Sequence, residues 1–153
     1  MRIRTAPWVL CCALYTSLSA QYLEMTVYLP DSLGGMTRPC AICYDSIADK
    51  VYVAGEEGGA VIVIDGATNR RVARVPTGYG VPSFVLNTAN HRIYVAGRTS
   101  NGVTVIDGAT YDVLATVAVG DSPCGLCYNS HDNRVYCANR DGQSVTVIDG
   151  ATN

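Results

Sequence analysis

Hydrophobic residues occur along this chain in short runs separated by glycine, asparagine and aspartate, a pattern that predicts β-strands joined by tight turns. The run Val103–Ile106 is apolar apart from one threonine, as is typical of a strand with both faces covered. The sequence Val-Ile-Asp-Gly-Ala-Thr occurs three times, with its aspartate at Asp65, Asp107 and Asp149, so the unit repeats every 42 residues. A period of about 40–45 residues made of short strands is typical of β-propeller blades.

A second marker keeps the same 42-residue step, because a short apolar strand surrounds each of Tyr52, Tyr94 and Tyr136. Residues that recur in every unit are expected to build the blade. We therefore predict that these tyrosines pack between blades and that their hydroxyls reach a partner. The repeated Asp-Gly is interpreted as a turn in which glycine supplies a positive φ and aspartate bonds its own backbone. Function is expected where the units differ.

Each unit divides into four predicted strands, which we label A to D in chain order. Strands A to C are nearly all apolar and are predicted to be covered on both faces, whereas strand D carries charges and suits the outer edge. The fold class is therefore all-β: a partial β-propeller of four-stranded antiparallel blades at about 38–79, 80–121 and, incomplete, 122–153. The predicted strands are 41–44, 50–54, 60–64 and 71–75 in the first unit, 83–86, 92–96, 103–106 and 113–119 in the second, and 125–128, 134–138 and 145–148 in the third.

Residues 1–20 have the features of a secretory signal peptide. Arg2 and Arg4 supply the positive start, Pro7–Leu18 an apolar stretch too short to span a bilayer, and Ala20 a small residue for cleavage. No other apolar run approaches the roughly 20 residues of a membrane helix. We therefore expect export, to the periplasm, the cell surface or the medium, with no membrane span after the signal is removed.

The segment 21–37 precedes the repeats at 38–153 and contains a D-type strand in Leu23–Pro30. The chain contains fewer than three full blades, which is too few to enclose a ring of the usual size, since propellers typically have about 4–8 blades. We therefore expect either that the chain is truncated or that copies self-associate through their open blade edges.

Charge and cysteine spacing argue against several kinds of site. The net charge is −2, which leaves no electrostatic footprint for nucleic acid. Cys40/Cys43 and Cys124/Cys127 form two C-x-x-C pairs, but positions i and i+3 of a strand point to opposite faces, so no zinc site is predicted. Neither pair is followed by His, which excludes c-type haem attachment. No metal ligand, cofactor-binding residue or catalytic residue is predicted.

The register assumed for the third A–B hairpin gives a candidate disulfide. If Asn129 lies opposite Val135, then Cys127 lies opposite Cys137. An exported protein meets oxidising conditions in many compartments, which would favour such a bond. The alternative is that Cys127 is a small buried apolar side chain, as is also expected for Cys43.

Several stretches resemble the YVTN family of β-propeller repeats, whose pattern is Tyr-Val-Thr-Asn, then Val-Ser-Val-Ile-Asp, a Thr-Asn turn and Val-Xaa-Thr-Ile-Xaa-Val-Gly. The resemblance implies an exported seven-bladed propeller of the cell envelope, and most such proteins are non-catalytic binding or scaffold modules. Some relatives with similar blades are lactonases or carry haem or quinone cofactors, so the alternative is a fragment of a propeller enzyme whose site lies in other blades. The matching stretches are Val135–Asn139, Val145–Asp149, Thr152–Asn153 and Leu114–Gly120.

The units differ most in the loops between strands B and C and in the links between strand D and the next strand A. In up-and-down blades these segments emerge on one face, and variable loops on a rigid scaffold usually carry binding. We therefore expect this face to bind a protein or a cell-envelope component. The candidate residues are Glu56, Tyr79, Arg98, Arg140 and Asp141. His91 and His131 lie in A–B turns instead and are interpreted as surface residues.

Overall fold

The computed structural model describes residues 25–28 and 36–153, and over these residues it contains eleven β-strands and no helix. It follows that these two ranges hold no helix long and apolar enough to cross a membrane. The strands are β1 (Thr37–Asp45), β2 (Lys50–Glu57), β3 (Ala60–Asp65), β4 (Arg71–Pro76), β5 (Ser83–Asn87), β6 (Arg92–Gly97), β7 (Gly102–Asp107), β8 (Val113–Ala118), β9 (Pro123–Asn129), β10 (Arg134–Asn139) and β11 (Ser144–Asp149).

The strands form three antiparallel sheets in which sequence neighbours pair in order. Blade 1 is β1-β2-β3-β4, blade 2 is β5-β6-β7-β8 and blade 3 is β9-β10-β11. All eleven predicted strands are confirmed. The largest difference is at β1, which begins at Thr37 rather than Ala41 because a bulge between Pro39 and Ala41 lets its pairing with β2 continue.

The blades pack face to face, with their A strands β1, β5 and β9 adjacent to one another. Between blades 1 and 2, Tyr52, Val63 and Val95 are buried in one apolar cluster. Between blades 2 and 3, Val105 and Val135 belong to a second cluster. Fully burying one such side chain stabilises the fold by about 1.5–3 kcal/mol, so each cluster helps to hold two blades together.

Blade 3 shows what happens to a strand face that no following blade covers. Val103 and Val105 of β7 are fully buried, whereas the equivalent Val145 and Val147 of β11 are 62% and 52% exposed. Tyr136 likewise remains only half-buried. The prediction that strands A to C are covered on both faces is therefore confirmed for β3 and β7. It is wrong for β11, and for β1, most of which is exposed because no blade precedes it among the described residues.

The predicted register of the A–B hairpins is wrong by one residue. Asn129 pairs with Arg134 rather than with Val135, so Cys127 lies opposite Tyr136 and Cys137 lies opposite Leu126. The equivalent shift occurs in blades 1 and 2, where the A strands end opposite Lys50 and Arg92. The turn is one residue shorter than assumed because its last residue adopts a left-handed conformation. That residue is Asp49, His91 or Asn133, with φ of 52°, 55° and 51°.

The glycine of the repeated Asp-Gly turn serves a purpose other than the predicted one. None of the three has a positive φ. Each instead lies so close to the left-handed residue of the A–B turn that an added Cβ would collide with that side chain. The three close approaches are Gly66 to Asp49, Gly108 to His91 and Gly150 to Asn133.

The aspartate of the same turn does bond its own backbone, as predicted. Asp107 Oδ1 accepts hydrogen bonds from the amides of Ala109 and Thr110 at 2.8 and 2.9 Å. Asp65 Oδ1 accepts from the hydroxyl and amide of Thr68 at 2.7 and 2.9 Å. These bonds favour the ionised carboxylate and lower the pKa of Asp65 to about 2, and the amides of the corresponding turns lower the pKa of Asp107 and Asp149.

The N-terminal predictions fall mostly outside the described residues. The signal peptide at 1–20 lies there entirely. Of the D-type strand predicted in Leu23–Pro30, only Met25–Tyr28 is described, and these residues form no strand. They pair with no other described strand and are exposed, so that part of the prediction is wrong for them.

Replacing Gly108 by alanine tests the close approach in the turn. The new Cβ would push the His91 ring away from its position, so we expect Gly108→Ala to destabilise the fold by roughly 1–3 kcal/mol, the usual cost of overpacking. The matched control is Gly125→Ala, whose Cβ would meet only Ala138 Cβ at 4.0 Å. Urea unfolding measures both, and equal midpoints for the two variants would contradict the explanation.

Acid unfolding tests the aspartate turns. Because the pKa of these carboxylates is lower in the folded chain than the ordinary 3.8, their contribution is complete above about pH 4 and is lost as the pH falls toward 2. We expect the thermal midpoint to fall steeply over that window. The triple variant Asp65→Asn/Asp107→Asn/Asp149→Asn keeps a hydrogen-bond acceptor in each turn. Its thermal midpoint should therefore fall less over the same pH window. An equally steep fall in the variant would exclude these carboxylates as the cause.

Candidate functional site

The two ends of the blades differ in how neighbouring blades are joined. We call one end the A–B end, which holds the A–B turns and the Asp-Gly turns. We call the other end the loop face, which holds the B–C loops (55–59, 97–101 and 139–143) and the D–A links (77–82 and 120–123). A binding site is favoured where the side chains are exposed, are not used for joining blades and differ between repeats.

At the A–B end, side chains of equivalent positions join successive blades. His91 Nε2 of blade 2 lies 2.7 Å from Asp45 Oδ2 of blade 1. Asn87 Nδ2 of blade 2 donates to Asn133 Oδ1 of blade 3 at 2.8 Å. The residues at the end of strand A are 42 apart, and so are their partners in the next blade. The same contact therefore recurs with different chemistry, a carboxylate and imidazole at one interface and two amides at the other.

The Asp45–His91 contact corrects the interpretation of His91 as a surface residue. The Asp45 side chain is fully buried and His91 is only 22% exposed. Asp45 Oδ1 also accepts hydrogen bonds from the amides of Ile47 and Ala48, so both of its oxygens are used. His131 does lie on the surface, with its side chain 92% exposed. The signal that could have identified His91 is its alignment with Asp49 and Asn133, residue types that tolerate the left-handed conformation.

The repeated tyrosines add a second contact between blades. The Tyr52 hydroxyl donates to the carbonyl oxygen of Gly108 at 3.4 Å, and its ring meets Tyr111 edge-on with centroids 6.5 Å apart. The Tyr94 hydroxyl donates to Asn153 Oδ1 at 2.6 Å. Tyr111 and Asn153 are equivalent residues of successive blades. The prediction that these tyrosines pack between blades is confirmed for the first two repeats.

At the loop face, main-chain hydrogen bonds fix each B–C loop to a D–A link. The carbonyl oxygen of Gly80 accepts from the Arg98 amide at 2.9 Å, and the Gly80 amide donates to the carbonyl of Glu56 at 3.0 Å. The equivalent bond in the next repeat runs from the Arg140 amide to the carbonyl of Ser122 at 3.0 Å. B–C loops and D–A links therefore lie on one face, as predicted. Because the backbone makes these bonds, the side chains are free to differ.

The five candidate residues lie on this face. Glu56 pairs with Arg38 at 3.2 Å, and Arg140 pairs with Asp141 at 3.1 Å. The bonds from Arg140 and from the Ser122 hydroxyl lower the pKa of Asp141. Tyr79 is 61% exposed. Arg98 is half-buried, and its Nε is buried with no hydrogen-bond partner in the described chain.

The structure does not support the candidate disulfide. Cys127 is exposed and Cys137 is buried, and both carry free thiols. The one-residue register shift places them on opposite faces of blade 3, where a bond cannot form. Burial raises the pKa of the Cys137 thiol to about 11. The alternative interpretation of Cys127 as a buried residue is also wrong, whereas Cys43 is partly buried against the core between blades 1 and 2. Within residues 25–28 and 36–153, no group of three or more His, Cys, Asp or Glu could hold a metal ion.

Comparison with known proteins identifies the architecture. No protein-family model and no curated protein matches the chain. Among solved structures, Kuenenia stuttgartiensis hydrazine synthase is similar with a TM-score of 0.70 at 20% identity over 86% of this chain. The structure of U3-55K is similar with a TM-score of 0.68 at 15% identity over 76% of this chain. Both proteins contain β-propellers.

The chain folds as a partial β-propeller. It covers 37% of the length of each of those two structures. At such low identity the likeness shows the fold alone, because one fold supports many functions. Function must therefore be argued from the loop face.

Converting one interface into the other tests the contact at the A–B end. We expect His91→Gly, which keeps the left-handed backbone, to destabilise the fold by roughly 3 kcal/mol because it leaves the buried Asp45 carboxylate without its partner. The double variant Asp45→Asn/His91→Asn recreates the amide pair of Asn87 and Asn133 and should recover most of that loss. Chemical unfolding measures both variants. A double variant no more stable than the single one would contradict the assignment.

Proposed function

We propose that this chain is part of an exported, non-catalytic β-propeller of the YVTN type that binds a protein or another cell-envelope component through its loop face. One observation carries the proposal: equivalent positions 56, 98 and 140 are glutamate, arginine and arginine, and their side chains are not used to join blades. The A–B end, in contrast, uses three sets of equivalent positions for contacts between blades 1 and 2 and again between blades 2 and 3, namely Asp45 and Asn87, His91 and Asn133, and Tyr52 and Tyr94.

The loop face is also held in place before any partner arrives. The Thr77 amide donates to the carbonyl of Gly59 at 2.9 Å and the Val119 amide donates to the carbonyl of Asn101 at 3.0 Å, so the start of each D–A link is fixed to the preceding B–C loop. Asn101 Nδ2 donates to Asp121 Oδ1 at 2.8 Å and fixes the second link further. A surface whose loops are already ordered loses less conformational entropy on binding, which favours affinity.

The chemistry of this face suits a polypeptide partner. Tyrosine and arginine are among the residue types that most often dominate the energetics of protein–protein interfaces, and Tyr79, Arg98 and Arg140 all lie on this face. The export and the YVTN assignment rest on the sequence features of residues 1–20 and on the repeat motifs of strands β10 and β11.

Site-specific photo-crosslinking tests the proposal. A photoreactive phenylalanine replaces Tyr79 of the full chain expressed in its source organism. The control carries it in place of His131, which is more exposed than Tyr79 but lies at the A–B end. We expect one dominant cross-linked protein from the Tyr79 variant and none from the control, with the chain recovered in the envelope or medium and its N-terminus close to residue 21. No cross-link, or the same products from both positions, would contradict the proposed function.

A further inference from the structure

Among the described residues, Arg98 has no carboxylate within salt-bridge distance, unlike Arg38 and Arg140 of the loop face, although it lies close enough to Asp141 to lower the pKa of that carboxyl. Its Nε is buried and makes no hydrogen bond to any described residue. A guanidinium has five N–H donors, and one that is partly withdrawn from water without an acceptor is unfavourable. The main chain nevertheless holds the residue in place, through the bond from its amide to Gly80.

The nearby carboxylates already have partners. Glu56 and Glu57 lie 3.2 and 3.7 Å from Arg38. Asp141 accepts from Arg140 and from the Ser122 hydroxyl, and Asp121 accepts from Asn101. Arg98 therefore remains the arginine of this face that can take an external anion without displacing an internal one.

The surroundings of Arg98 favour one kind of anion. Gly80 lies directly against the Arg98 side chain, and an added Cβ at Gly80 would meet Arg98 Cβ at 3.4 Å. The Tyr79 ring lies over Gly59 and is mostly exposed, so it offers an apolar surface on the same face. The carboxylates of this face, Glu56, Glu57, Asp121 and Asp141, would repel a polyanion such as nucleic acid.

We propose that Arg98 is the anchor for a single carboxylate of the polypeptide partner, with an apolar group of that partner packed on Tyr79. The carboxylate bonds the terminal N–H groups of the guanidinium, whose main chain is already held by Gly80, which is a favourable case for a charge-assisted bond. The inference rests on the proposed function, because it names the chemistry by which the loop face selects its partner.

The side-chain Nε–Hε signal of Arg98 provides a direct readout in the isotopically labelled full chain. The probes are an end-blocked Gly-Phe-Glu-Phe-Gly peptide, the same peptide with Gln for Glu, a Gly-Phe-Gly peptide with a free C-terminal carboxylate, and inorganic phosphate. We expect a saturable shift with a carboxylate peptide and none with the Gln peptide. The affinities of the two carboxylate peptides are then compared. Tighter binding of the Glu peptide indicates that the partner presents an acidic side chain, and tighter binding of the Gly-Phe-Gly peptide indicates a chain terminus.

Matched variants separate an anchor from a structural residue. Arg98→Gln should weaken binding of the carboxylate peptide by about tenfold or more, as expected for loss of one charge-assisted hydrogen bond, with the thermal midpoint unchanged. Arg134→Gln, which removes an exposed arginine at the A–B end, should change binding less than twofold. Arg98→Lys should bind with intermediate strength.

Several results would overturn the inference: no shift of the Arg98 signal, an equal response to the Gln peptide or to phosphate, an equal loss in Arg134→Gln, or a fall in thermal midpoint that accounts for the loss in Arg98→Gln. The photo-crosslink at Tyr79 distinguishes the two proposals. If the cross-link forms equally well in an Arg98→Gln background, the carboxylate anchor is wrong and the proposed function stands. If peptides bind at Arg98 but no partner cross-links, the proposed function fails.

Discussion

The bond between the last residue of one strand A and the left-handed residue of the next blade is the contact on which the blade arrangement depends. At the first interface Asp45 meets His91, and at the second Asn87 meets Asn133. The left-handed backbone shortens the A–B turn and thereby sets the hairpin register. It also brings the turn so close to the Asp-Gly turn that only glycine fits there. One local geometry thus accounts for the register, for the conserved spacing of glycine within the repeat and for the alignment of adjacent blades.

The concentration of blade-joining side chains at the A–B end explains why the side chains of the loop face can differ between repeats. Blade contacts at the A–B end are made by side chains, so the residue types there are constrained in each repeat to Asx, His or Gly. At the loop face the contact that recurs in both repeats is made by the main chain, through Gly80 and Ser122. Side chains at positions 56, 98 and 140 therefore make no contact that joins blades, so their charge can vary to suit a partner.

The repeat predicted the strands well because its hydrophobic runs and turn residues point to the same structure. It predicted the register less well, because period-2 reasoning alone does not fix the length of a turn. The left-handed residue is not visible from Asp49 alone and becomes recognisable only when it is aligned with His91 and Asn133. The disulfide prediction failed with the register, since a slip of one residue moves Cys137 to the opposite face from Cys127. The candidate loop residues could be predicted because these positions differ between the repeats. The lack of a hydrogen-bond partner at Arg98 Nε could not be predicted, because side-chain burial is not visible in the sequence.

Hydrogen exchange resolved to single amides would test most directly whether the turn geometry at the A–B end and the cover by neighbouring blades together stabilise the structure. Blade 2 is covered on both faces and blade 3 on one, so the account predicts the slowest exchange in β6 and β7 and faster exchange in β11. It also predicts that the Gly108 amide, which is bonded to the carbonyl of His91 at 2.9 Å, exchanges as slowly as those two strands. A Gly108 amide that exchanges as fast as the exposed B–C loop residue Thr99, or equal protection of β7 and β11, would contradict it.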